Sequence, residues 1–550
     1  MKPALDRWVD RTVRRWWMRG AVAICVPFLL FLSVAQIITT DPLGDSGRIA
    51  GAPMSGWIDD IPVASSPGHD VWPSCAVDKN GSLYVAYSDF NSSTGYYRIR
   101  VAESIDAGLN WTDVADISPG NGDCRYASMG YDRVADRLYI AFQYDYSSTD
   151  HDIYCAESST SASAPWTLRG VRTDTNDDYH PSLAVIDSGW NNDGVYVVLE
   201  NQRGIIDGGD LVLFKAKTGG SFSIVSDFAG NSDSLAYSWP STAVLYENST
   251  NRGILYVAYA RQANILTSQE DIYVTFTQDG GSSWSSKYRL TSDSKDEFSP
   301  SVAVTTDYCI VAYTLQYSVT DTDIYCVTTD FTDTSTPVSI SDSIDLEAWP
   351  KVTVSASKFY VVYPRDASLT SSHIYLKSAN ETLYPTWSAA SGVSDASAEV
   401  DGGYRPDIVF QERNGTYYAA VAWGDYRNGV GNSDIYYSTE GARYTIGTEP
   451  LGLNFTVDGA NYSANQIFNW PAGTQHNIST ASVQDDNIFN YWTDGLSNWS
   501  LNSLNLTAGM DDETFEAKFQ EFPIPEFQDI MLSIVSIVAL SIVFKSKKWG

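Results

Sequence analysis

The feature that most constrains this sequence is an internal repeat between residues 57 and 447. In most copies an aromatic residue or histidine lies next to a proline and is followed by an alternating apolar run, as in WPSCAVD at 72–78 and HPSLAVI at 180–186. Such a repeat sets the architecture, so it is interpreted before any local structure. The anchor residues of the copies are Pro73, Ala127, Pro181, Pro240, Pro300, Pro350 and Pro406.

Each copy continues with further alternating apolar runs. LYVAY at 83–87 is a second run, DIYCAES at 152–158 is a third, and a fourth often begins at a tryptophan such as Trp111 or Trp284. Alternation with a period of two between turn residues predicts antiparallel β-strands rather than helices. Four strands in a copy of about 40–60 residues are typical of a propeller blade. We therefore predict an all-β fold, a seven-bladed β-propeller over residues 57–447.

The residues before the first copy predict how the propeller closes. Residues 57–65 begin with Trp57-Ile-Asp-Asp-Ile, which is similar to the fourth strand that begins at Trp111, and the seventh copy supplies only three clear strands. An N-terminal strand that completes the last blade would remove an open sheet edge. Residues 440–447 are the alternative fourth strand.

Two turns between third and fourth strands match the pattern S/T-x-D-x-G-x-x-W. In this pattern the aspartate caps backbone N–H groups, the glycine allows a positive φ and the tryptophan packs under the loop. With the repeat, they make residues 57–440 resemble the Asp-box, or sialidase-like, propellers. The matching residues are Ser104, Asp106, Gly108 and Trp111 in one turn and Thr277, Asp279, Gly281 and Trp284 in the other.

The resemblance implies a scaffold and does not extend to an active site. Sialidases of the family use an arginine triad, a tyrosine nucleophile with a glutamate partner and an acidic proton carrier, and the first arginine lies in an Arg-Ile-Pro motif. Here Arg405-Pro406 lacks the isoleucine and belongs to the last copy. The catalytic family also has six blades. We therefore expect a non-catalytic propeller that binds a glycan or a surface protein, and we assign no catalytic residues. A sialidase-like glycoside hydrolase or lyase and a structural cell-envelope component are the alternatives.

An arginine follows the second strand in four copies, although the chain carries a formal charge of −32. Guanidinium groups pair well with carboxylate, sulfate or phosphate, so a ligand-binding ring at the channel mouth is one hypothesis. Pairing with neighbouring Asp366, Asp425 or Glu200 is the other. The four arginines are Arg203, Arg261, Arg365 and Arg427.

Aromatic and acidic residues precede the first strands. The aromatic residues stack on sugars or wedge between blades, and the acidic residues make Ca²⁺ the one possible cofactor. The aromatic residues are Tyr179, Tyr237, Trp239, Phe298, Trp349 and Tyr404. The acidic residues are Asp177, Asp178, Asp296, Asp345, Glu347 and Asp401.

Cysteine usage predicts one disulfide. Six cysteines are present, and Cys25 lies in an apolar segment, which leaves an odd number elsewhere. Cys309 and Cys326 lie on two runs that should form a hairpin, so we predict that they face each other across it and are bonded.

The two ends predict the location of the protein. Residues 1–39 are basic and then apolar, as in a signal peptide or signal anchor. Residues 522–550 contain Pro525-Glu526-Phe527 before a short apolar run and three lysines, and they resemble the PEF-type sorting tails of archaeal surface proteins, which an archaeosortase cuts. A plain membrane anchor is the equal alternative. Both place the rest of the chain on the extracellular face.

Residues 450–520 lack the repeat and predict a small β module, similar to the internalin-type B repeats. Five Asn-X-Ser/Thr sequons lie in 454–505, which favours a glycosylated stalk. The strongly acidic chain excludes nucleic acid as a partner.

Overall fold

The fold was analysed in a computed structural model. It describes residues 56–521 apart from 65–67, 148–149, 161–164, 203–208, 230–234, 264–268, 319, 344, 367–371, 396–397, 399, 401–404 and 430–431, together with 536–537. The predicted signal segment lies outside the described residues, as does the sorting tail except for 536–537. Among the described residues, no helix has the length and apolar character that crossing a membrane requires.

The described chain is all-β and forms two compact units. Unit 1 comprises residues 60–411 and 419–438, and unit 2 comprises 56–59, 412–418 and 439–521. The strands from the first to the last repeat are β1 (Ile61–Ala64), β2 (Asp70–Val77), β3 (Leu83–Asn91), β4 (Tyr96–Ser104), β5 (Thr112–Ile117), β6 (Asp123–Asp132), β7 (Arg137–Ser147), β8 (Asp150–Ser159), β9 (Thr167–Arg172), β10 (Asp177–Ile186), β11 (Gly194–Gln202), β12 (Asp210–Ala216), β13 (Ser223–Ala229), β14 (Tyr237–Glu247), β15 (Arg252–Gln262), β16 (Glu270–Thr277), β17 (Tyr288–Arg289), β18 (Asp296–Val304), β19 (Cys309–Ser318), β20 (Asp321–Thr329), β21 (Val338–Ser341), β22 (Leu346–Glu347), β23 (Lys351–Ser355), β24 (Lys358–Asp366), β25 (Ser372–Asn380), β26 (Ser391–Gly392), β27 (Asp407–Arg413), β28 (Thr416–Asp425) and β29 (Asp434–Thr439).

These strands form successive antiparallel sheets. Sheets 1 to 4 are β2–β5, β6–β9, β10–β13 and β14–β17. Sheets 5 and 6, β18–β21 and β23–β26, are joined by β22, which pairs with β20 and β24. Sheet 7 has the order β1-β29-β28-β27, and Ile61 lies opposite Tyr437. The N-terminal strand is therefore the fourth strand of the last sheet, whereas residues 441–449 belong to a sheet of unit 2.

Apolar side chains pack between neighbouring sheets. The buried clusters join sheets 1 and 2, 2 and 3, 3 and 4, 4 and 5, 5 and 6, and also 7 and 1. The second strand of each sheet packs on both faces, which explains its almost continuous apolar run: β3 is buried from Leu83 to Asp89. Sheet 7 contacts sheet 6 through the rings of Tyr360 and Phe410, whose centres lie 4.8 Å apart, and it packs against sheet 1, so the sheets form a closed ring.

A belt of hydrogen bonds links the first strands of successive sheets. A serine in one first strand accepts the backbone N–H of a residue in the next first strand, at 3.0 to 3.2 Å. The pairs are Ser74 with Met129, Ser128 with Leu183, Ser182 with Thr242, Ser241 with Val302, and Ser301 with Val352.

Asp407 completes the belt at the junction of the chain ends. Its carboxylate accepts the N–H of Cys75 at 2.8 Å and the hydroxyl of Ser74 at 3.1 Å in sheet 1. The Lys351 ammonium of sheet 6 lies 3.2 Å from the other oxygen. The first strands are thus the innermost strands of the ring, and unit 1 has the architecture of a β-propeller.

The two predicted Asp-box turns share their hydrogen bonds. Gly108 N–H donates to the Ser104 hydroxyl, and Gly281 N–H donates to the Thr277 hydroxyl, both at 2.9 Å. In each turn the aspartate accepts a backbone N–H four residues on, also at 2.9 Å. The glycines have φ of 89° and 99°, and a Cβ on Gly281 would lie 2.5 Å from Leu213. Both turns lie at the ends of the sheets opposite the start of the first strands.

The predicted disulfide between Cys309 and Cys326 is wrong. The hairpin of β19 and β20 places Cys309 opposite Thr329 and Cys326 opposite Ala312. The two cysteines therefore project to opposite faces of sheet 5, into the cores shared with sheets 4 and 6. The five described cysteines are free and buried.

Unit 2 is a separate β module with its own core. Its strands are β30 (Gly441–Glu449), β31 (Phe455–Val457), β32 (Ala460–Tyr462), β33 (Gln466–Pro471), β34 (Gln475–Thr480), β35 (Val483–Gln484), β36 (Asn487–Thr493), β37 (Asn498–Trp499), β38 (Ser503–Thr507) and β39 (Glu513–Glu521). One sheet has the order β33-β30-β39-β36-β35 and the other β32-β31-β34-β38. Buried Trp470, Trp492 and Phe515 belong to its core.

Replacement of Asp407 by alanine should destabilise unit 1, because one side chain holds partners in two other sheets. We expect the free energy of unfolding to fall by about 2–4 kcal/mol in denaturant titrations, as is usual when a buried charged hydrogen-bond partner is lost. Ser301→Ala is the matched control and should cost about 1–2 kcal/mol, because it removes a neutral acceptor. Equal losses in the two variants would contradict the closing role of Asp407.

Candidate ligand-binding site

The predicted arginine ring is held largely by the protein's own side chains. Arg203 lies outside the described residues. Arg365 pairs with Asp345 at 2.6 Å and lies 3.5 Å from Glu347. Arg261 donates to the hydroxyls of Tyr237 at 2.9 Å and Tyr273 at 3.1 Å.

Arg427 connects the last sheet to the N-terminal segment. It pairs with Asp60 at 2.6 Å, Asp425 at 2.7 Å and Asp395 at 3.4 Å, and its guanidinium lies 4.0 Å from the ring centre of Tyr436. The pair between Arg427 and Asp425 was predicted by the alternative to a ligand-binding ring, in which neighbouring carboxylates hold the arginines. Burial raises the pKa of Asp60 to about 7, although Arg427 opposes that rise. Arg427 thus acts as a counter-ion where the ring closes.

A different set of residues converges at the start of the first strands. The residue before each anchor position adopts a left-handed backbone conformation, with φ between 47° and 56°, in six sheets. This conformation is rare outside glycine and costs free energy, so its repetition marks a position that the fold fixes. The residues at this bulge position are Trp72, Tyr126, His180, Trp239, Ser299 and Trp349.

The rings at the bulge position contact one another and form what we call the aromatic row. Trp72 lies 4.7 Å from Tyr126, and Tyr126 lies 4.9 Å from His180. His180 stacks on Trp239 at 4.0 Å, and Trp239 meets Trp349 edge to face at 5.0 Å. Trp239 belongs to sheet 4, whereas Trp349 directly precedes the first strand of sheet 6, so their contact bypasses sheet 5. Sheet 5 has the small Ser299 at the bulge position, which leaves room for this contact. The row therefore lies inside the ring of first strands, at the end away from the Asp-box turns.

The members of the aromatic row are partly exposed. All five members are only partly buried, whereas Tyr179 and Tyr237, which also precede first strands, are buried to 7% and 0% exposure. Phe298 packs 6.2 Å from Trp349, and Tyr404 lies outside the described residues. Partly exposed aromatic faces are the groups on which the apolar faces of ligands stack.

Polar groups flank the row at sheets 1 and 2. The Arg125 guanidinium lies over Trp72 and Tyr97 and is held by Asp123 at 2.9 Å. His69 lies 3.1 Å from the Tyr97 hydroxyl, and burial together with Arg125 lowers the pKa of His69 to about 4, so its imidazole is neutral at pH 7. Neutral and charge-compensated donors beside aromatic rings give a surface suited to hydroxyl groups.

Arg405 is the residue before the anchor Pro406 of the last repeat. Its side chain is partly buried and makes no ion pair or hydrogen bond within the part of the chain that the structure describes. Burial lowers the pKa of its guanidinium to about 10, and Asp407 opposes that shift. Arg365 and Arg427, by contrast, form ion pairs with carboxylates.

Asp177, Asp296 and Asp345, three of the suggested calcium ligands, are partly exposed, whereas other acidic residues near the first strands are buried. Asp178, Glu297 and Glu347 have no exposed surface, and burial raises the pKa of Asp178 and of Glu297 to about 8. Asp178 accepts from Asn201, and Glu347 accepts from two serine hydroxyls. Asp401, one of the suggested calcium ligands, is not described. Within the described ranges, no three acidic, histidine or cysteine side chains are placed to hold a metal ion.

A tyrosine–glutamate pair lies at the opposite end of the sheets. The Tyr84 hydroxyl donates to Glu103 at 2.8 Å, and burial raises the pKa of Tyr84 far above its usual value. Tyr84 lies opposite Ala76, at the end of β2 distant from Trp72, and Glu103 adjoins the first of the two predicted Asp-box turns. The pair is therefore remote from the aromatic row.

No protein-family model matches the sequence, and no curated protein matches it. Among solved structures, an α-L-arabinanase of Penicillium chrysogenum complexed with arabinobiose is similar at 11% identity, covering 71% of this chain and 98% of that chain, with a TM-score of 0.41. Polysaccharide lyase Uly1 is similar at 10% identity over 72% and 94%, with a TM-score of 0.43. A mutant of Trypanosoma rangeli sialidase is similar at 8% identity over 72% and 58%, with a TM-score of 0.39. These identities are too low to transfer an activity or a substrate.

Replacement of Arg427 by methionine should destabilise unit 1 by about 3–5 kcal/mol, because it leaves several buried carboxylates without their counter-ion. Arg252→Met is the control, because Arg252 forms a partly exposed pair with Glu247 at 3.2 Å. Its loss should cost less than about 1 kcal/mol. Denaturant titration of both variants measures the difference, and an Arg427 variant as stable as the control would show that its pairs contribute little.

Stability should also fall as the pH rises from about 6.5 to 8. In the folded protein burial raises the pKa of Glu297 to about 8, so its carboxyl group stays protonated up to about that pH. In the unfolded chain the pKa is 4.5, so the same group has already lost its proton in this pH range. Folding therefore binds a proton in this window, and the free energy of unfolding falls by up to about 1.4 kcal/mol per pH unit for each such group. Glu297→Gln should flatten the slope. An unchanged slope in this variant would contradict the raised pKa.

Proposed function

We propose that the protein is a non-catalytic, seven-bladed propeller that binds a glycan at the aromatic row. The observation that carries the proposal is the set of mutually contacting, partly exposed rings at one end of the first strands. Sugars present flat C–H faces that stack on aromatic rings and hydroxyls that bond to flanking polar groups. Arg125 and Tyr97, which are partly exposed, are such flanking groups.

A sialidase-like hydrolase or lyase is the second candidate. Carboxyl groups with pKa values near 8, as for Asp178 and Glu297, are typical of proton carriers. Both side chains have no exposed surface, however, so in this conformation neither contacts a substrate. The Tyr84–Glu103 pair lies at the other end of the sheets. These placements favour binding over turnover.

A structural role in the cell envelope is the third candidate. The contact between Trp239 and Trp349 spans the interior of the ring, and Arg365 and Arg427 are paired with carboxylates. Both features fit a protein whose interior serves only stability. Binding at the row distinguishes the first candidate from this one.

We also propose that the chain is exported and held at the extracellular face by its terminal segments, with an archaeosortase-like enzyme as one possible processing partner. The support is the basic-then-apolar N-terminus and the short apolar tail with its terminal lysines. Unit 2 would then act as a spacer between the propeller and the membrane.

Trp239→Gly should weaken glycan binding about two- to twelvefold. The loss corresponds to about 0.5–1.5 kcal/mol for one aromatic contact, and glycine suits the left-handed backbone at this position. Ser299→Gly is the matched control, because it lies at the same bulge position without a ring. A glycan array followed by titration calorimetry with the purified protein measures both. Equal binding by the two variants, or glycoside cleavage during the assay, would reject the proposal.

A further inference from the structure

The sheet β32-β31-β34-β38 of unit 2 carries three sequons in its strands. Asn461 lies in β32, Asn477 in β34 and Asn505 in β38, and each begins an Asn-X-Ser/Thr triplet. β32 and β38 are the two edge strands, and β34 is an inner strand. The sequence pattern alone treats the three sites as equivalent, whereas the structure distinguishes them.

Strand register places all three asparagines on one face. Thr456 lies opposite both Asn461 and Ser479, and Asn477 lies opposite Asn505. The alternate row contains Val457, Ile478 and Leu504, which are buried in the core of unit 2. Because side chains alternate between faces, the asparagines project away from that core.

The amide nitrogen of Asn477 is engaged by the fold. It donates to the Ser503 hydroxyl at 3.1 Å, to the Leu504 carbonyl at 3.2 Å and to the Asn505 carbonyl oxygen at 2.8 Å. The side-chain amide nitrogens of Asn461 and Asn505 donate to no group in the described part of the chain, and both residues are exposed. N-glycosylation bonds the sugar to this nitrogen, so only Asn461 and Asn505 present it.

We infer that Asn461 and Asn505 are N-glycosylation sites of the folded module and that Asn477 is not. A glycan on each edge strand stands beside the unpaired backbone groups of that strand. Such groups are the usual route to edge-to-edge association of sheets, and a bulky polar substituent blocks it. The modification would leave the face polar and both edges covered.

The test is enzymatic glycosylation of the purified full chain by a single-subunit oligosaccharyltransferase with its lipid-linked oligosaccharide. Site occupancy is measured by peptide mass spectrometry. In the folded protein we expect high occupancy at Asn461 and Asn505, and at least tenfold lower occupancy at Asn477. After denaturation all three sites should be modified, which shows that the Asn477 sequon is itself competent.

Ser463→Ala and Thr507→Ala are matched controls, because each removes a sequon without changing its asparagine. Each should abolish modification at one edge and leave the other unchanged. Occupancy at Asn477 in the folded chain equal to that at Asn505 would overturn the inference. So would unmodified Asn461 and Asn505 in a folded chain whose denatured form is modified at all three sites.

Discussion

The structure of unit 1 depends on one hydrogen bond repeated around the ring, from the backbone N–H of one first strand to a side chain of the preceding first strand. A sheet satisfies its own backbone groups along its length, but the innermost strand has an edge with no further strand beside it. The serines of the belt supply acceptors at that edge. Neighbouring sheets are therefore tied by polar contacts in the interior as well as by the apolar clusters farther out.

The belt has a different composition where the last sheet meets the first. The last and first repeats are separated by more than 300 residues, and β1 must also return to complete sheet 7. Here the belt uses the carboxylate of Asp407 in place of a hydroxyl, and the Arg427 cluster holds Asp60 beside the same sheet. Charged hydrogen bonds are stronger than neutral ones. Closure therefore uses stronger interactions between the last and first repeats than the neutral bonds of the rest of the belt.

The sequence predicted much of this architecture because its physical basis is local. Alternating runs fix strands, and the spacing of the copies fixes their grouping into sheets. The register between strands was not predictable in this way. Cys309 and Cys326 lie on paired strands, but Cys309 lies opposite Thr329, three positions from Cys326. Because side chains alternate between faces, the two cysteines pack into different cores. The aromatic row was only partly anticipated, through Trp239 and Trp349. The signal for Trp72, Tyr126 and His180 was present in the repeat itself, as the residue before each anchor, but the left-handed bulge that directs their rings inward depends on pairing between strands.

The charge of the chain explains why the row, rather than the arginines, is the better candidate site. With 67 acidic residues against 35 lysines and arginines, cations are scarce. Arg365 and Arg427 serve as counter-ions, and removing either would leave buried acids unpaired. A ligand competing for them would have to displace those carboxylates. The rings of the row are partly exposed, and a ligand that stacks on them does not have to displace a carboxylate from Arg365 or Arg427. The same field disfavours anionic ligands at long range, which agrees with the proposed uncharged sugar ligand.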